Sequence, residues 1–466
     1  MDQEQAADSV TEAIIRHCKK PMSSAEKRRG SLHLLDWLGC ASAAINSDVA
    51  RVLLKHMASA APVSNGPCSV LGHGGVAAER AAFVNGALGN VLEMDDLHRG
   101  SILHAGDVVV PAALAAAQDC NASPHRLCEA IVIGYEVAIH IGKAVATGGY
   151  TSWYNSGTCG IFGATAAAAH LYALDFDATI HALGHAGMQA AGMWQCRLEP
   201  GFGKQLACAH ASRAAITAAQ LCQYGFPGPR QIIEGELGFL KSFYSHIDPA
   251  ILSGPEHDGW LIHEVSFKPW PACRHIHPVL EAALWLAATH DRSDYNRIVV
   301  TTYKAAAEFC DNPKPASPHE ARFSFQHTVG VAMTRGAPCL ADFDQKTRDH
   351  HDIRMISEMV EIFVDPSLTA AFPERLSGGV ALWKDDHLVD EKFVPNALGD
   401  PENSLSDAQL RDKFRHNCAY VGVTESQIDQ VADAVLSLPE AAELSDLNQA
   451  VTQFCEELRE KNALTE

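Results

Sequence analysis

Two stretches, GIFGATAAAAHLYAL (160–174) and ASRAAITAAQL (211–221), constrain what this chain can fold into more than any others. Each is rich in alanine or glycine and apolar on nearly every side. A helix without a polar stripe is stable only where other helices cover it all round. Side chains this small also force neighbouring backbones close together. The expected result is a helical bundle with these segments in its middle. The flanking sequence extends that pattern, and residues 1 to about 265 read as helix after helix. SSAEKRRGSLHLLDWLGCASAAI (23–45) opens with a serine cap. Segments 77–92, 108–120, 124–148, 158–173, 178–195 and 203–224 follow, separated by Gly, Pro, Asn or Asp.

The texture changes past about residue 267. Beyond a helix over 277–289, RIVVTTY (297–303), MVEIFVDP (359–366) and GGVALWKDD (378–386) are rich in strand-forming residues and bounded by turn residues. A helix over 317–334 lies between the first two. After a break at 401–404, segments 406–417, 425–437 and 440–460 are helical again, and the closing ELREKNALTE reads as a frayed end. The expected fold is mainly α, a large all-helical domain plus a smaller α+β lid domain. Residues 1–266 form the helical domain, 267–400 the lid, and 401–466 C-terminal helices that return to the helical domain. A chain of 466 residues is too long for one core, which agrees with this division.

Composition excludes some partners. A net charge of -20 argues against nucleic acid or an anionic membrane surface, though a pocket with a few local cations still admits a small anionic substrate. No run of eighteen apolar residues is present to span a membrane. The opening MDQEQAADSVTEAI has neither the basic nor the apolar region of a secretion signal. The fourteen cysteines are scattered singly with no CxxC pair, as expected of reduced thiols in a cytoplasmic protein.

Chemistry concentrates between Leu92 and Leu114, LEMDDLHRGSILHAGDVVVPAAL. Glu93, Asp95 and Asp96 are followed closely by His98 and His104, all between two buried-looking helices. Acids and imidazoles in such a place are costly unless they serve one another or a ligand, and proton transfer uses such groups. Solvated carboxylates at a helix end, followed by incidental histidines, are the alternative. His104 precedes a helix whose N-terminus favours an anion. In NSGTCGIFGATAAAAH (155–170), Gly157, Gly160 and Gly163 fit close helix packing better than a phosphate loop, since no GK[ST] or GxGxxG follows a strand. Tyr154 is the titratable group just before it. Lys204 begins an otherwise apolar helix, where a cation is mildly disfavoured, so holding a ligand's carboxylate stands beside the ordinary reading of a solvated lysine.

FKPWPACRHIHP (267–278) gathers Lys268, Cys273, Arg274, His275 and His277 among three prolines. Alternate Cys/His spacing without a second cluster is a poor zinc signature. Lys268, on a stiff loop at a domain junction, is the better catalytic candidate, its pKa expected to be depressed by Phe267, Trp270 and a neighbouring cation. In ARFSFQHTVGVAMTRG (321–336), His327 sits on a helix, and a core histidine bonded to a backbone carbonyl is its default reading.

In order, E-M-D-D with H-A-G, G-T-C-G-x-F-G-A, K-Q-L, K-P-W-P-A-C-x-x-x-H and F-S-F-Q-H-x-V-x-V-A resemble the MmgE/PrpD family over about residues 10 to 420. That family includes 2-methylcitrate dehydratases, cis-aconitate decarboxylases and an iminodisuccinate epimerase. The resemblance implies a homodimer with no cofactor and a metal-free site between domains. It implies a small anionic di- or tricarboxylate substrate, with Glu93 as the catalytic acid and the D-D pair at Asp95 and Asp96. It places the family's histidine at His104, its helix lysine at Lys204 and its loop lysine at Lys268. Tyr154 stands where lyases commonly have histidine, His327 where they commonly have tyrosine, and Glu93 where aspartate is usual.

From this exchange the favoured expectation is a cofactor-independent epimerase of an amino- or imino-dicarboxylate. Lys268 and His327 would move the proton, with Tyr154 or His104 as substitutes. Substrate contacts are expected from Lys204, Asp95, Asp96, His98 and His277. A lyase of a small tricarboxylate is the alternative, and a non-catalytic helical binding protein the further one.

Overall fold

At Gly163 a Cβ atom would lie 2.2 Å from the Gly134 carbonyl oxygen, so the helices Pro124–Val145 and Gly160–Leu171 pack backbone against backbone. No other residue fits that approach, which is the physical reason for a glycine there. Gly157 is confined similarly by the Ala191 carbonyl. The glycines of 155–170 therefore serve packing, as their spacing suggested. The structure, a computed structural model, describes residues 9–59, 66–147, 149–199, 201–252 and 259–463. The first eight residues of the opening stretch and the last three of the expected frayed end lie outside the described residues.

The chain folds into two compact units. The first comprises Met1–Val91, Gly100–Glu264 and Asp407–Glu466, the second Leu92–Arg99 and Val265–Ser406. Leu92–Arg99 packs with the second unit although the sequence division places it in the first domain.

The first unit is built from helices. Ser24–Ala43 starts with a capping box in which Ser23 and Glu26 satisfy each other's backbone amides. Gly106–Asp119, Pro124–Val145, Gly160–Leu171 and Gly203–Gln223 supply much of the buried alanine, valine and isoleucine. The C-terminal helices Asp407–Tyr420, Glu425–Leu436 and Ser445–Ala463 belong to this unit. Lys413 reaches Asp36 at 2.6 Å, a buried ion pair joining Asp407–Tyr420 to Ser24–Ala43.

The second unit carries a four-stranded sheet: β1 (Arg297–Thr302), β2 (Val360–Val364), β3 (Gly378–Lys384) and β4 (His387–Val394). Their order is β2-β1-β3-β4, with β1 and β2 parallel and the other pairs antiparallel. Ile298 and Val300 of β1 and Val380 and Leu382 of β3 face a core shared with Val279, Leu280 and Leu286 of the helix His277–Ala287. The expected 317–334 helix is two pieces, Pro318–Ala321 and Phe325–Arg335, because Ser324 caps the second. The fold is mainly α, with a smaller α+β unit.

Candidate active site

In the second unit, Lys268 is buried with its Nζ donating to Asp95 Oδ1 at 3.2 Å and Glu93 Oε2 at 3.4 Å. Both acids are buried too, as are Asp96 and His98. The loops are held together by backbone pairing: Leu97 and Ser266 form an antiparallel bridge, and Phe267 N–H donates to the Gly399 carbonyl at 3.0 Å. Glu93 sits at φ 55, a left-handed conformation rare for a residue with a side chain. Held strain of that kind gathers at working sites.

The expected depression of the Lys268 pKa is overturned. Burial acts to lower it, but the Asp95 and Glu93 carboxylates outweigh burial and push it above the ordinary lysine range. The expected neighbouring cation is replaced by two anions. Lys268 is therefore a fixed ammonium. It can donate a proton and stabilise negative charge, but it is no base at neutral pH.

His277 has both ring nitrogens engaged, Nδ1 with Arg274 Nη1 at 3.1 Å and Nε2 with the Ala272 carbonyl at 3.1 Å. That leaves no nitrogen for the substrate contact expected of it. His275 Nδ1 lies 2.5 Å from the Tyr303 hydroxyl. His327 Nε2 donates to the Asp342 carbonyl at 2.8 Å, its ring edge-on to Phe343 at 5.6 Å. Burial holds that imidazole below its ordinary pKa. The satisfied core histidine, the default reading of the sequence, is what the geometry resembles.

In the first unit, the loop carrying His104 is tied to the turn after Tyr154. The His104 amide donates to Ser156 Oγ at 3.0 Å and Asn155 Nδ2 to the Ser101 carbonyl at 2.9 Å. His104 is half-buried, immediately ahead of the helix Gly106–Asp119. Tyr154 is fully buried, its hydroxyl 3.6 Å from Cys208 Sγ and its ring edge-on to Trp194. Burial, then the neighbouring Cys208 and Asp107, push its phenol well up, so it can act only as a protonated donor near neutrality. Lys204 is half-buried at the start of the helix Gly203–Gln223.

Asp400 and Arg99 carried no signal in the sequence; Asp400 accepts from Ser266, two residues before Lys268, and lies 4.0 Å from Arg99. Asp400 ends the expected lid, directly before the break at 401–404, and its partners are distant in sequence.

Comparison with known proteins identifies the family. Residues 5–251 match the MmgE/PrpD N-terminal domain and residues 270–438 the MmgE/PrpD C-terminal domain. The chain belongs to the MmgE/PrpD family. It is 26% identical to cis-aconitate decarboxylase of Homo sapiens over 358 residues, covering 73% of this chain and 72% of that protein. Over 415 residues it is 24% identical to the cis-aconitate decarboxylase-like protein oryM of Aspergillus oryzae, covering 82% and 84%. It is 23% identical to 2-methylcitrate dehydratase of Escherichia coli strain K12 over 279 residues, covering 56% and 57%.

Proposed function

We propose that this protein is a lyase acting on a small tricarboxylate, with decarboxylation the leading reaction and dehydration second. The observation that carries the reading is Lys268, a buried ammonium held by Asp95 and Glu93. In decarboxylation the bond to the departing carboxylate breaks and its electron pair stays on carbon, delocalised toward a remaining carboxylate. Carbon dioxide leaves, and a proton must then fill the carbon. A fixed cation stabilises the first stage and supplies the proton in the second. The amine then regains its proton from solvent, and the Asp95 and Glu93 carboxylates favour its charged form.

The relatives' names support a lyase over an epimerase. So does the raised Lys268 pKa, because epimerisation starts with a base taking a proton. Decarboxylation leads because the decarboxylase relatives align over more of the chain than the dehydratase. Carboxylate binding by His104 and Lys204, and proton donation by Tyr154, rest on the motif correspondence alone.

The test is incubation with cis-aconitate and, separately, 2-methylcitrate in deuterium oxide, followed by proton NMR and carbon dioxide measurement. Release of carbon dioxide with a new C–D bond supports decarboxylation, and a new alkene from 2-methylcitrate supports dehydration. Consumption of neither overturns the lyase reading. Deuterium-labelled inversion of an imino- or amino-dicarboxylate would restore the epimerase.

A homodimer is part of the proposal. Met188, Met193, Leu198, Phe202 and Leu206 form an exposed apolar run in the first unit, more than isolated surface residues would give. No helix among the described residues is long and apolar enough to cross a membrane. All fourteen cysteines are free thiols, which fits the cytoplasmic location we propose.

A further inference from the structure

Three stretches of the second unit run side by side at the Lys268 cluster. Leu97 N–H donates to the Ser266 carbonyl at 3.0 Å, and Ser266 N–H to the Leu97 carbonyl at 2.8 Å. On the other side, Phe267 pairs with Gly399. Next to Gly399 lies Asp400, a buried carboxylate. Its Oδ1 accepts from Ser266 Oγ at 2.7 Å and pairs with Arg274 Nη2 at 2.5 Å. Its Oδ2 lies 4.0 Å from Arg99 Nη1. Arg99 is forked onto Glu402 as well, and Arg274 also donates to the Leu398 carbonyl at 3.1 Å. One carboxylate thus grips the residue two before Lys268, the arginine six after it, and the arginine four after Asp95.

A buried ion network of this kind is weak evidence for stability, since well-packed apolar residues often do as well or better. Its distinct property is geometric: charged hydrogen bonds fix relative position, whereas apolar contacts tolerate sliding. Lys268 must meet two acids that lie more than 170 residues away in the chain. Beyond the single Leu97–Ser266 backbone bridge, the side-chain contacts that hold that register run through Asp400.

We infer that Asp400, through Ser266, Arg99 and Arg274, is the positioning residue that sets the register of the Glu93–Asp95 loop against the Lys268 loop. Its effect on turnover rests on the lyase reading above, whereas its effect on Lys268 does not.

The test compares the full-length wild type with Asp400→Asn, which keeps the shape and an acceptor for Ser266 but removes the charge. Trace acetic anhydride at pH 8 labels each lysine in proportion to its free amine, read by peptide mass spectrometry against other lysines in the same sample. The variant should label Lys268 several-fold faster and exchange amide hydrogens of 92–99 faster. Its kcat should fall on the order of ten- to a hundred-fold, with KM little changed, as expected when reacting groups move by about 1 Å. Asp400→Glu should recover part of both. A folded Asp400→Asn protein with wild-type Lys268 labelling, or with faster labelling and wild-type kcat, overturns the inference. Ser266→Ala, a milder change, carries the same comparison should Asp400→Asn not fold. If the wild type turns over no tricarboxylate, the lyase reading fails, and Lys268 labelling still decides the positioning role.

Discussion

Replacing Lys268 with Met keeps most of the side chain's length and removes the ammonium that Asp95 and Glu93 share at 3.2 and 3.4 Å. At such a separation and an effective dielectric of about 20, each pair attracts by roughly 5 kcal/mol. Burying the ions costs several kcal/mol each, so the intact cluster contributes little net stability. The cost appears when one partner goes, because two carboxylates then remain buried without their cation, a loss of about 3–5 kcal/mol. The remaining acids respond by holding a proton, so their folded pKa values rise in the variant. A carboxyl whose folded pKa is raised destabilises the fold above its unfolded value, and this penalty shrinks as pH falls. The variant should therefore lose most stability near pH 8 and recover part of it near pH 5. Wild type has the opposite linkage. The raised Lys268 pKa makes the pairing fully available below the ordinary lysine value of 10.5, and lost only as pH climbs through the higher folded value. Urea unfolding followed by circular dichroism at pH 5, 6.5 and 8 measures both, with midpoints compared at matched pH. Equal midpoints for variant and wild type at pH 8 would refute the reasoning.

Gly399→Ala places a Cβ 1.9 Å from the Phe267 carbonyl at a φ of 92°, so thermal melting should show a loss of about 1–3 kcal/mol and steady-state assays a fall in kcat. His327→Leu removes the bond to the Asp342 carbonyl and should cost about 1–3 kcal/mol in urea while leaving kcat within about threefold. A loss of kcat of a hundred-fold or more would return His327 to the chemistry. Lys413→Met strands the buried Asp36 and should cost about 3–5 kcal/mol in the first unit's unfolding without changing KM. Leu198→Glu with Leu206→Glu should convert a dimer to monomer by sedimentation, and a wild type already monomeric contradicts the dimer proposal.

The helices were legible because they are long and periodic: the expected 124–148, 158–173, 203–224 and 425–437 match observed helices to within three residues at each end. Strand β4 escaped notice because HLVDEKFV is a largely exposed, charged edge whose apolar residues fall in adjacent pairs rather than alternating, although the Asp385-Asp386 turn before it, with Asp385 at φ 53, is consistent with a hairpin. In the site, the residues that cluster around Lys268 stood out by type, since buried acids beside histidines and a lysine among prolines are unusual. Their partners did not. Lys268 was expected beside a cation, and the pairing of Leu97 with Ser266, distant in sequence, helps bring the acidic loop to it. The same gap hid Asp400 and left the commitments of the His277 nitrogens invisible. Local sequence fixes an element's period, but not which distant loop lies alongside it.

The most direct measurement is the pH dependence of kcat/KM on cis-aconitate from pH 6 to 10, for wild type and Lys268→Arg. If the buried lysine works as a cation, no activity is gained by deprotonating it: the profile has no rising limb assigned to Lys268, and Arg, which keeps the charge, retains measurable turnover. A rise in activity between pH 7 and 9 that disappears in Lys268→Arg would make the lysine a base and contradict the account.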